Sequence, residues 1–356
     1  MRNNCTIIVD GNWLLMSRMS MCKSSFDETA SEEMKMFARD ELCDVMTRTI
    51  NVVLHKLENV VDNLIFVADG YSWRKTLEKP SSRTDVAYKG NRVKETTLDW
   101  NMIFGAMDDL MDNLRNNGCT VTKCENTEGD DLIYYWTRRL NDNLINAIIW
   151  STDCDLKQLI TNNENGTFTA WYNDNNGLFL HESLNDDNLD DIEFFMSFEN
   201  PVLTTLKQSV NSISYINPDD IVMNKIICGD SSDNIKSIIL QERNNKKYRI
   251  TEKVWGQLKD ELGIKRISQF YEKKDEIISR LCKMKSVDNY DEVSEIFDYN
   301  RRLVHLDKES YPENVIEQMN GIGEYTKFDI DYIMNNYKAM DFTLEDNDAM
   351  EAFFKI

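Results

Sequence analysis

Glu128-Gly129-Asp130-Asp131, followed by Leu132-Ile133-Tyr134-Tyr135-Trp136, is the stretch on which the rest of the chain turns. Leu132, Ile133, Tyr135, Trp136 and Leu140 fall close to i, i+3, i+4 spacing, which predicts a helix with one buried face. Three carboxylates within four residues stand directly ahead of it. Acids in a first helical turn are favoured by the helix dipole, so a solvated N-terminal turn is one reading. A metal site is the other, because crowded carboxylates repel each other and a cation relieves that repulsion at neutral pH.

Working outward, the pattern of an apolar run closed by acids recurs. Thr6-Ile7-Ile8-Val9 reads as a short buried strand ending in Asp10-Gly11-Asn12. Helical periodicity follows over residues 31–62, and then Leu64-Ile65-Phe66-Val67-Ala68 closes in Asp69-Gly70. Residues 98–115 again have helical spacing, and Cys119 to Cys124 is a strand leading to Glu128. Ala147-Ile148-Ile149-Trp150 closes in Ser151-Thr152-Asp153-Cys154-Asp155, where alternate side chains on an extended backbone share a face. This alternation predicts an α/β fold, a mostly parallel central sheet flanked by helices. Strand ends of such sheets face the ligand crevice. Thr167 to Leu180 reads as a hairpin turning at Asn176-Gly177. A helix after Pro218 ends at Gly229-Asp230-Ser231-Ser232-Asp233-Asn234, and the periodicity is helical from 251 onward. The expected division is 1–200 for the core with the acid clusters and 201–356 for a helical region.

Composition narrows the function classes. Hydrophobic residues make up 41% of 356, enough for a real core, and no run of 18 apolar residues predicts a membrane span. No signal peptide is visible at the N-terminus, so a cytoplasmic protein is expected. Eight cysteines without a CxxC pair and three histidines argue against zinc. The net charge of −21 excludes a protein that coats nucleic acid indiscriminately. Two stretches run the other way. Tyr71 to Lys94 carries seven basic residues against two acids, with Tyr71, Trp73 and Tyr88 interleaved, the composition of a phosphate-tracking segment that also stacks on bases. Gln241 to Lys285 carries thirteen against seven. A charged surface loop is the plain alternative for the first.

The acids Asp10, Asp69, Glu128, Asp130, Asp131, Asp153, Asp155, Asp230 and Asp233 thus form one set, suited to hard, oxygen-liganded Mg²⁺ or Mn²⁺. With VDGN at 9–12, ADG at 68–70, YKGNR at 88–92, EGDD at 128–131, STDCD at 151–155 and GDSSDN at 229–234, the sequence resembles the flap endonuclease family of structure-specific 5′ nucleases. The nearest likeness is to its phage ribonuclease H and 5′–3′ exonuclease branch, over roughly residues 5–240. The resemblance implies a PIN-like core and a two-metal phosphodiester hydrolase acting on flaps, nicks or RNA primers, with branched DNA and RNA/DNA duplex as partners, in a bacterial cytoplasm. Asp10, Asp69, Glu128 and Asp130 would hold a first ion. Asp153, Asp155 and Asp233 would serve a second, with Asp131 and Asp230 in support. Lys89 and Arg92 would act on the scissile phosphate, and Tyr88 would stack on the terminal base. Residues 71–115 would form a helical arch carrying the basic residues Arg74, Lys75, Arg83 and Lys94.

The resemblance has one departure. Its glycine-rich, potassium-binding hairpin should follow the last acid pair, but no glycine occurs from Ile235 to Asn244. Arg243, Lys246, Lys247 and Arg249 are the expected grip on a duplex instead. Two other functions compete: a PIN-type single-strand ribonuclease, which shares the acidic pocket but lacks YKGNR and the helical half, and a non-catalytic branched-DNA binder, which gains nothing from acids that repel phosphate. Finally, Asn347, Met350, Phe353 and Phe354 have the spacing of a sliding-clamp peptide, or else of a terminal helix packing on its own domain. A monomer is expected.

Overall fold

The computed structural model of the protein describes residues 4–84, 86–92, 95–185, 200–243 and 246–326. Lys94 and the clamp-peptide candidates Met350, Phe353 and Phe354 lie outside the described residues.

Short, fully apolar runs build the centre. The strands β1 (Cys5–Asp10), β2 (Asn63–Ala68), β3 (Thr120–Lys123) and β4 (Asn146–Trp150) lie parallel in the order β3-β2-β1-β4. Register sets Val9 beside Phe66 on one side and Trp150 on the other. The sheet continues with β6 (Phe168–Asn173), parallel to β4 and flanked by the two-residue β5 (Thr161–Asn162). Then come β7 (Gly177–His181), antiparallel to β6 in the expected hairpin, and β8 (Ile213–Ile216), parallel to β7.

Both faces of the sheet are covered, which is why its strands read as unbroken apolar runs. Ile7, Val9, Leu64, Phe66, Ile148 and Trp150 meet α1 (Gly11–Cys22), α2 (Glu32–Lys56) and α3 (Trp100–Asn116). Ile8, Ile65, Val67, Ala147 and Ile149 point the other way, onto Leu132, Ile133 and Trp136 of α4 (Gly129–Asp142). The long helix α2 starts where Ser31 accepts the Met34 amide, with Glu32 and Glu33 in the first turn, and α3 starts on the Asp99 carboxylate.

A second core follows. The helix α5 (Pro201–Gln208) still packs with the sheet layer. Beyond it, α6 (Pro218–Cys228), α7 (Glu252–Glu261), α8 (Ile267–Glu272), α9 (Lys274–Lys285) and α10 (Tyr290–Val304) close around Trp255, Phe270 and Phe297. Because β8 belongs to the sheet, the two cores part near residue 217, later than the 200/201 division expected from sequence. The last described helix, α11 (Glu313–Asn320), packs Val315 and Met319 against Trp73 and Tyr311.

One expectation changes here. The arch drawn over 71–115 is not a helical unit: α3 is a core helix that buries Ile103, Met107, Leu110 and Leu114, and the described residues from Tyr71 to Arg92 form two short 3₁₀ turns and no α-helix. The stretch after the last acid pair is two small ribbons, β9 (Gly229–Asp230) with β10 (Ile235–Lys236), and β11 (Leu240–Arg243) with β12 (Lys246–Arg249). Among the described residues no helix is long and apolar enough to cross a membrane.

The sheet topology places the site. The chain winds outward from β1 to β2 to β3, then returns across both to lay β4 on the other side of β1. The carboxyl ends of β1 and β4 therefore flank the point where strand order reverses, the ligand crevice of open α/β sheets. Stability of the helical core can be tested apart from it. Phe297 is fully buried with its ring 5.2 Å from that of Phe270. Phe297→Ala is expected to cost about 3–5 kcal/mol, read as a lower urea midpoint at unchanged slope.

Candidate active site

Each acid that ends a strand is held by backbone and small polar groups. Asp10, at the end of β1, caps α1: one carboxylate oxygen accepts the Trp13 amide at 3.0 Å, the other the Ser151 hydroxyl at 2.7 Å. Asp69 follows β2 and accepts the Gly129 amide at 2.5 Å, while its own amide donates to the Asn12 side chain. That closeness suits glycine at 129, since a Cβ there would stand 2.7 Å from the Asp69 oxygen and the carboxylate would have to shift. Asp130 lies in the first turn of α4. Asp153 follows β4, is exposed, and accepts the Asp155 amide at 2.8 Å.

The structure sorts the nine acids by whether the protein supplies their counter-charge. Arg74 donates to Glu128 at 2.7 Å and, with both terminal nitrogens, to Asp131 at 2.7 and 3.0 Å. Asp131 also accepts from the Trp73 indole at 2.8 Å and from the Glu128 amide, and it is fully buried. Lys89 reaches the other Glu128 oxygen at 2.7 Å. Lys225, on α6, bonds both Asp155 and, at 2.5 Å, Asp230, which accepts from the Ser232 amide and hydroxyl as well. Asp233 accepts from Arg92 at 2.6 Å and from the Tyr88 hydroxyl at 3.2 Å. Among the described residues, no ion pair reaches Asp10, Asp69, Asp130 or Asp153.

Titration follows that division. Burial pushes Asp10 up to about 7, with Asp69 and Asp153 adding repulsion against the bonds from Ser151 and Trp13. Burial also raises Asp69, opposed by the Gly129 amide. Asp130 is driven well above the carboxylate range by burial, then by Asp153, Asp10 and Glu128, with Lys89 opposing. Glu128 goes the other way, to about 2, because Arg74 and Lys89 outweigh its burial. Asp155 is raised to about 6 by burial and Asp153 despite Lys225. The unpaired carboxylates thus have the chemistry of hard-cation ligands. They form an open arc and not a closed cage: among the described residues no three acid, histidine or cysteine side chains gather tightly enough to enclose an ion by themselves.

Beside the arc lies a cavity of about 840 Å³, lined by Arg92, Asp153, Asp155, Lys225, Asp230 and Asp233 among others. The YKGNR string is docked on the GDSSDN loop at its rim. The Lys89 amide donates to the Asp233 carbonyl, Asn91 to that of Ser231, and Asn234 to that of Ala87. Lys89 itself has φ 54, a left-handed conformation uncommon outside glycine and concentrated at functional sites.

Several sequence assignments do not survive as drawn. Arg74 does not track phosphate; it is buried, neutralises Glu128 and Asp131, and donates to the Leu303 carbonyl at 3.0 Å. Asp131 has both oxygens engaged by Arg74 and so is a structural acid. Tyr88 is not presented to a base: it is buried in the helical core with its hydroxyl on Asp233. Arg83 is buried and donates to the Ser237 carbonyl. Lys75 is exposed, over the ring of exposed Tyr71 at 5.4 Å, and Arg92 and Arg249 are exposed too. Arg243, Lys246 and Lys247 lie on the β11–β12 ribbon. Lys225, Ser151 and Asn12 were missed. Ser151 and Asn12 stand inside recognised strings, but Lys225 read only as one residue of a helix.

No protein-family model matches the sequence. A 5′–3′ exonuclease of Mycoplasmopsis pulmonis (strain UAB CTIP) is 30% identical over 198 residues, 53% of this chain and 52% of that protein, so the chain spans about half the length of this curated relative. Among solved structures, the T5 D15 protein co-crystallised with metal ions matches with a TM-score of 0.56 and 18% identity, over 93% of this chain and 99% of that one. The bacteriophage T5 flap endonuclease in a pseudo-enzyme–product complex with DNA and metal ions matches with a TM-score of 0.54 and 16% identity, over the same shares. The fold is that of these T5 structures, and over about half of its length the chain is similar in sequence to a 5′–3′ exonuclease.

The electrostatics predict an unusual pH dependence. Asp10 and Asp155 hold protons in the folded chain at pH values where an unfolded carboxyl has lost them. The native state therefore binds more protons between about pH 4 and 7, and its stability falls as pH rises through that window. Glu128, being depressed, gains its contribution at lower pH and does not offset this. In chelator, the melting temperature should drop between pH 5 and 7.5, and millimolar divalent cation should remove the drop. A melting temperature that rises over the same window in chelator would contradict the assignment.

Proposed function

We propose that the protein is a metal-dependent 5′ nuclease of the flap endonuclease family, hydrolysing phosphodiester bonds at 5′ ends, flaps or nicks of branched DNA or RNA/DNA duplex. The observation that carries this reading is the set of carboxylates without a protein counter-charge at the carboxyl ends of the sheet, together with a basic string docked on the loop that carries Asp230 and Asp233. Asp10, Asp69, Asp130 and Asp153, with Glu128 alongside, are the ligands for Mg²⁺ or Mn²⁺; an open carboxylate arc suits ions that keep several waters. Two such ions, when bound, would stabilise the attacking and leaving oxygens of an in-line displacement. The chain's own part is to exclude stray anions, position the phosphate and supply fixed positive charge. Lys89 is held on Glu128 by its ammonium and has a left-handed backbone, and Arg92, which lines the cavity, extends from Asp233 with its side chain 59% exposed. Both stand where charge develops on a phosphate entering the cavity.

Duplex binding falls to the β11–β12 ribbon. Register sets Arg243 opposite Lys246 and Glu242 opposite Lys247, with Tyr248 and Arg249 exposed near the base. Two strands about 5 Å apart fit a major groove about 12 Å wide. Alanine at Arg243, Lys246, Lys247 and Arg249 together should weaken binding to a flap duplex more than to a single strand. The slope of log K against log salt should fall by about 0.9 for each phosphate that the ribbon no longer neutralises. An unchanged slope would move duplex binding elsewhere.

Asp130→Asn tests the reading as a whole. Cleavage of a 5′-flap duplex in Mg²⁺ should fall below about one thousandth of the wild-type rate, while binding measured in Ca²⁺ stays equal or tightens, since a charge that repels phosphate is gone. Cleavage near the wild-type rate would sink the metal assignment. A wild-type protein that cuts only single-stranded RNA would favour a PIN-type ribonuclease, and one that binds flaps without cutting would be a branched-DNA binder.

A further inference from the structure

The acids fall into two halves that the protein treats differently. Asp10, Asp69 and Asp130 have no ion-pair partner among the described residues. Asp155, Asp230 and Asp233 each have one, and for Asp155 and Asp230 it is the same ammonium, that of Lys225. This lysine is not a surface residue that swings in by chance. Its side chain is 21% exposed and sits on the last turn of α6, whose Val222, Met223, Ile226 and Ile227 are buried in the helical core. The buried Asn300 amide holds the Ile226 carbonyl next to it at 2.9 Å. The two acids it joins line the same cavity but come from different segments, Asp155 from the turn after β4 and Asp230 from the β9–β10 loop.

We propose that Lys225 is a built-in counter-ion of the second half of the site: its ammonium ties Asp155 to Asp230, and a second divalent cation binds there only once that ammonium has been displaced. The inference rests on the nuclease reading and assigns Lys225 a positioning role within it. Two carboxylates facing one cavity repel unless a cation stands between them, and a lysine nitrogen with three donors satisfies both. A divalent ion approaching Asp155 and Asp230 meets like charge from Lys225, and from Arg92 on Asp233, so its affinity in the protein alone is low. A phosphodiester anion entering the cavity offers Lys225 another partner and frees the two carboxylates. Uptake of the second cation is thereby coupled to substrate, whereas in the first half Lys89 is held on Glu128 and no ammonium joins Asp10, Asp69 or Asp130, so a first cation binds there without substrate.

The test counts ions with no nucleic acid present, by calorimetry and by electron paramagnetic resonance of Mn²⁺. The wild-type chain should take up one Mn²⁺ tightly, with a second at least a hundredfold weaker. Lys225→Met, unbranched and neutral, should strengthen the second site at least tenfold, and Lys225→Arg should leave the wild-type pattern. Lys225→Gln keeps a donor between the carboxylates and, with thermal unfolding as a folding control, serves if the methionine variant does not fold. Two equal sites in the wild type, or a second site unmoved in both neutral variants, would overturn the proposal. A wild-type protein that shows the predicted ion count but does not cut flap duplex would overturn the nuclease reading and leave the ion count standing.

Discussion

Repulsion among carboxylates at the carboxyl edge of one sheet is the constraint that the rest of this structure answers. Nine acids from five segments meet where the strand order reverses, in a chain that already carries a net charge of −21. The fold answers with a graded set of neutralisers. Arg74 takes Asp131 out of play and shares Glu128 with Lys89. Lys225 and Arg92 take the acids of the β9–β10 loop and Asp155. What is left over, at Asp10, Asp69, Asp130 and Asp153, has no ion pair among the described residues and is met by hydroxyls, backbone amides, the positive end of α4 and the more distant charge of Lys89, which soften it without cancelling it.

The same neutralisers fasten the two cores together. Arg74 binds Glu128 and Asp131 of the sheet layer and the Leu303 carbonyl of α10 with one guanidinium. Its neighbour Trp73 bonds Asp131 and meets the Tyr311 ring at 5.9 Å. Further along, Arg83 holds the Ser237 carbonyl, and Tyr88 packs into the helical core. Residues 71–92 are therefore a strap whose buried side chains reach both bodies. A buried ion cluster is weak as a source of net stability, but removing one partner leaves a buried charge uncompensated, so geometry at Glu128 depends on contacts made far along the chain.

How much of this was legible follows from the range of the interactions. Strands such as Thr6–Val9 and Leu64–Ala68 and the amphipathic face of α4 are written in local periodicity, and each came out within a residue or two of its place. The strand-end acids were legible because the motif strings sit where parallel strands finish. Pairing was not. Arg74 and Asp131 lie 57 residues apart, Lys225 and Asp155 70, and nothing local says which basic residue is buried beneath a carboxylate and which faces solvent. Residues 71–94 read as a phosphate-tracking segment from their charge, and as part of an arch only by resemblance, but Trp73 was the signal that they do not stand free: a ring of that size inside a basic stretch needs a core to enter, and it enters the one formed by Tyr311, Val315 and Met319. Strand β8 was missed because Ile213-Ser214-Tyr215-Ile216 is four residues long and half-buried, too short for a period to show.

The segment after the last acid pair departs from the glycine-rich hairpin of the family the sequence resembles. Gly229 has φ +79, and a Cβ there would stand 2.5 Å from the Ile235 carbonyl, so glycine is required to close the β9–β10 loop that presents Asp230 and Asp233. Past that loop no glycine appears before the ribbon ends at Arg249. Backbone amides approach a phosphate closely only where side chains are absent, so a glycine-free segment cannot hold a duplex that way. Ser237 instead ties the ribbon's base down, donating to the Ile227 carbonyl and accepting the Ile250 amide, while Ile238, Ile239 and Ile250 bury beside it. The ribbon is thus anchored at its root a short step along the chain from Asp233, and packing around Ser237 and Ile250, not a glycine turn, sets where it stands relative to the β9–β10 loop.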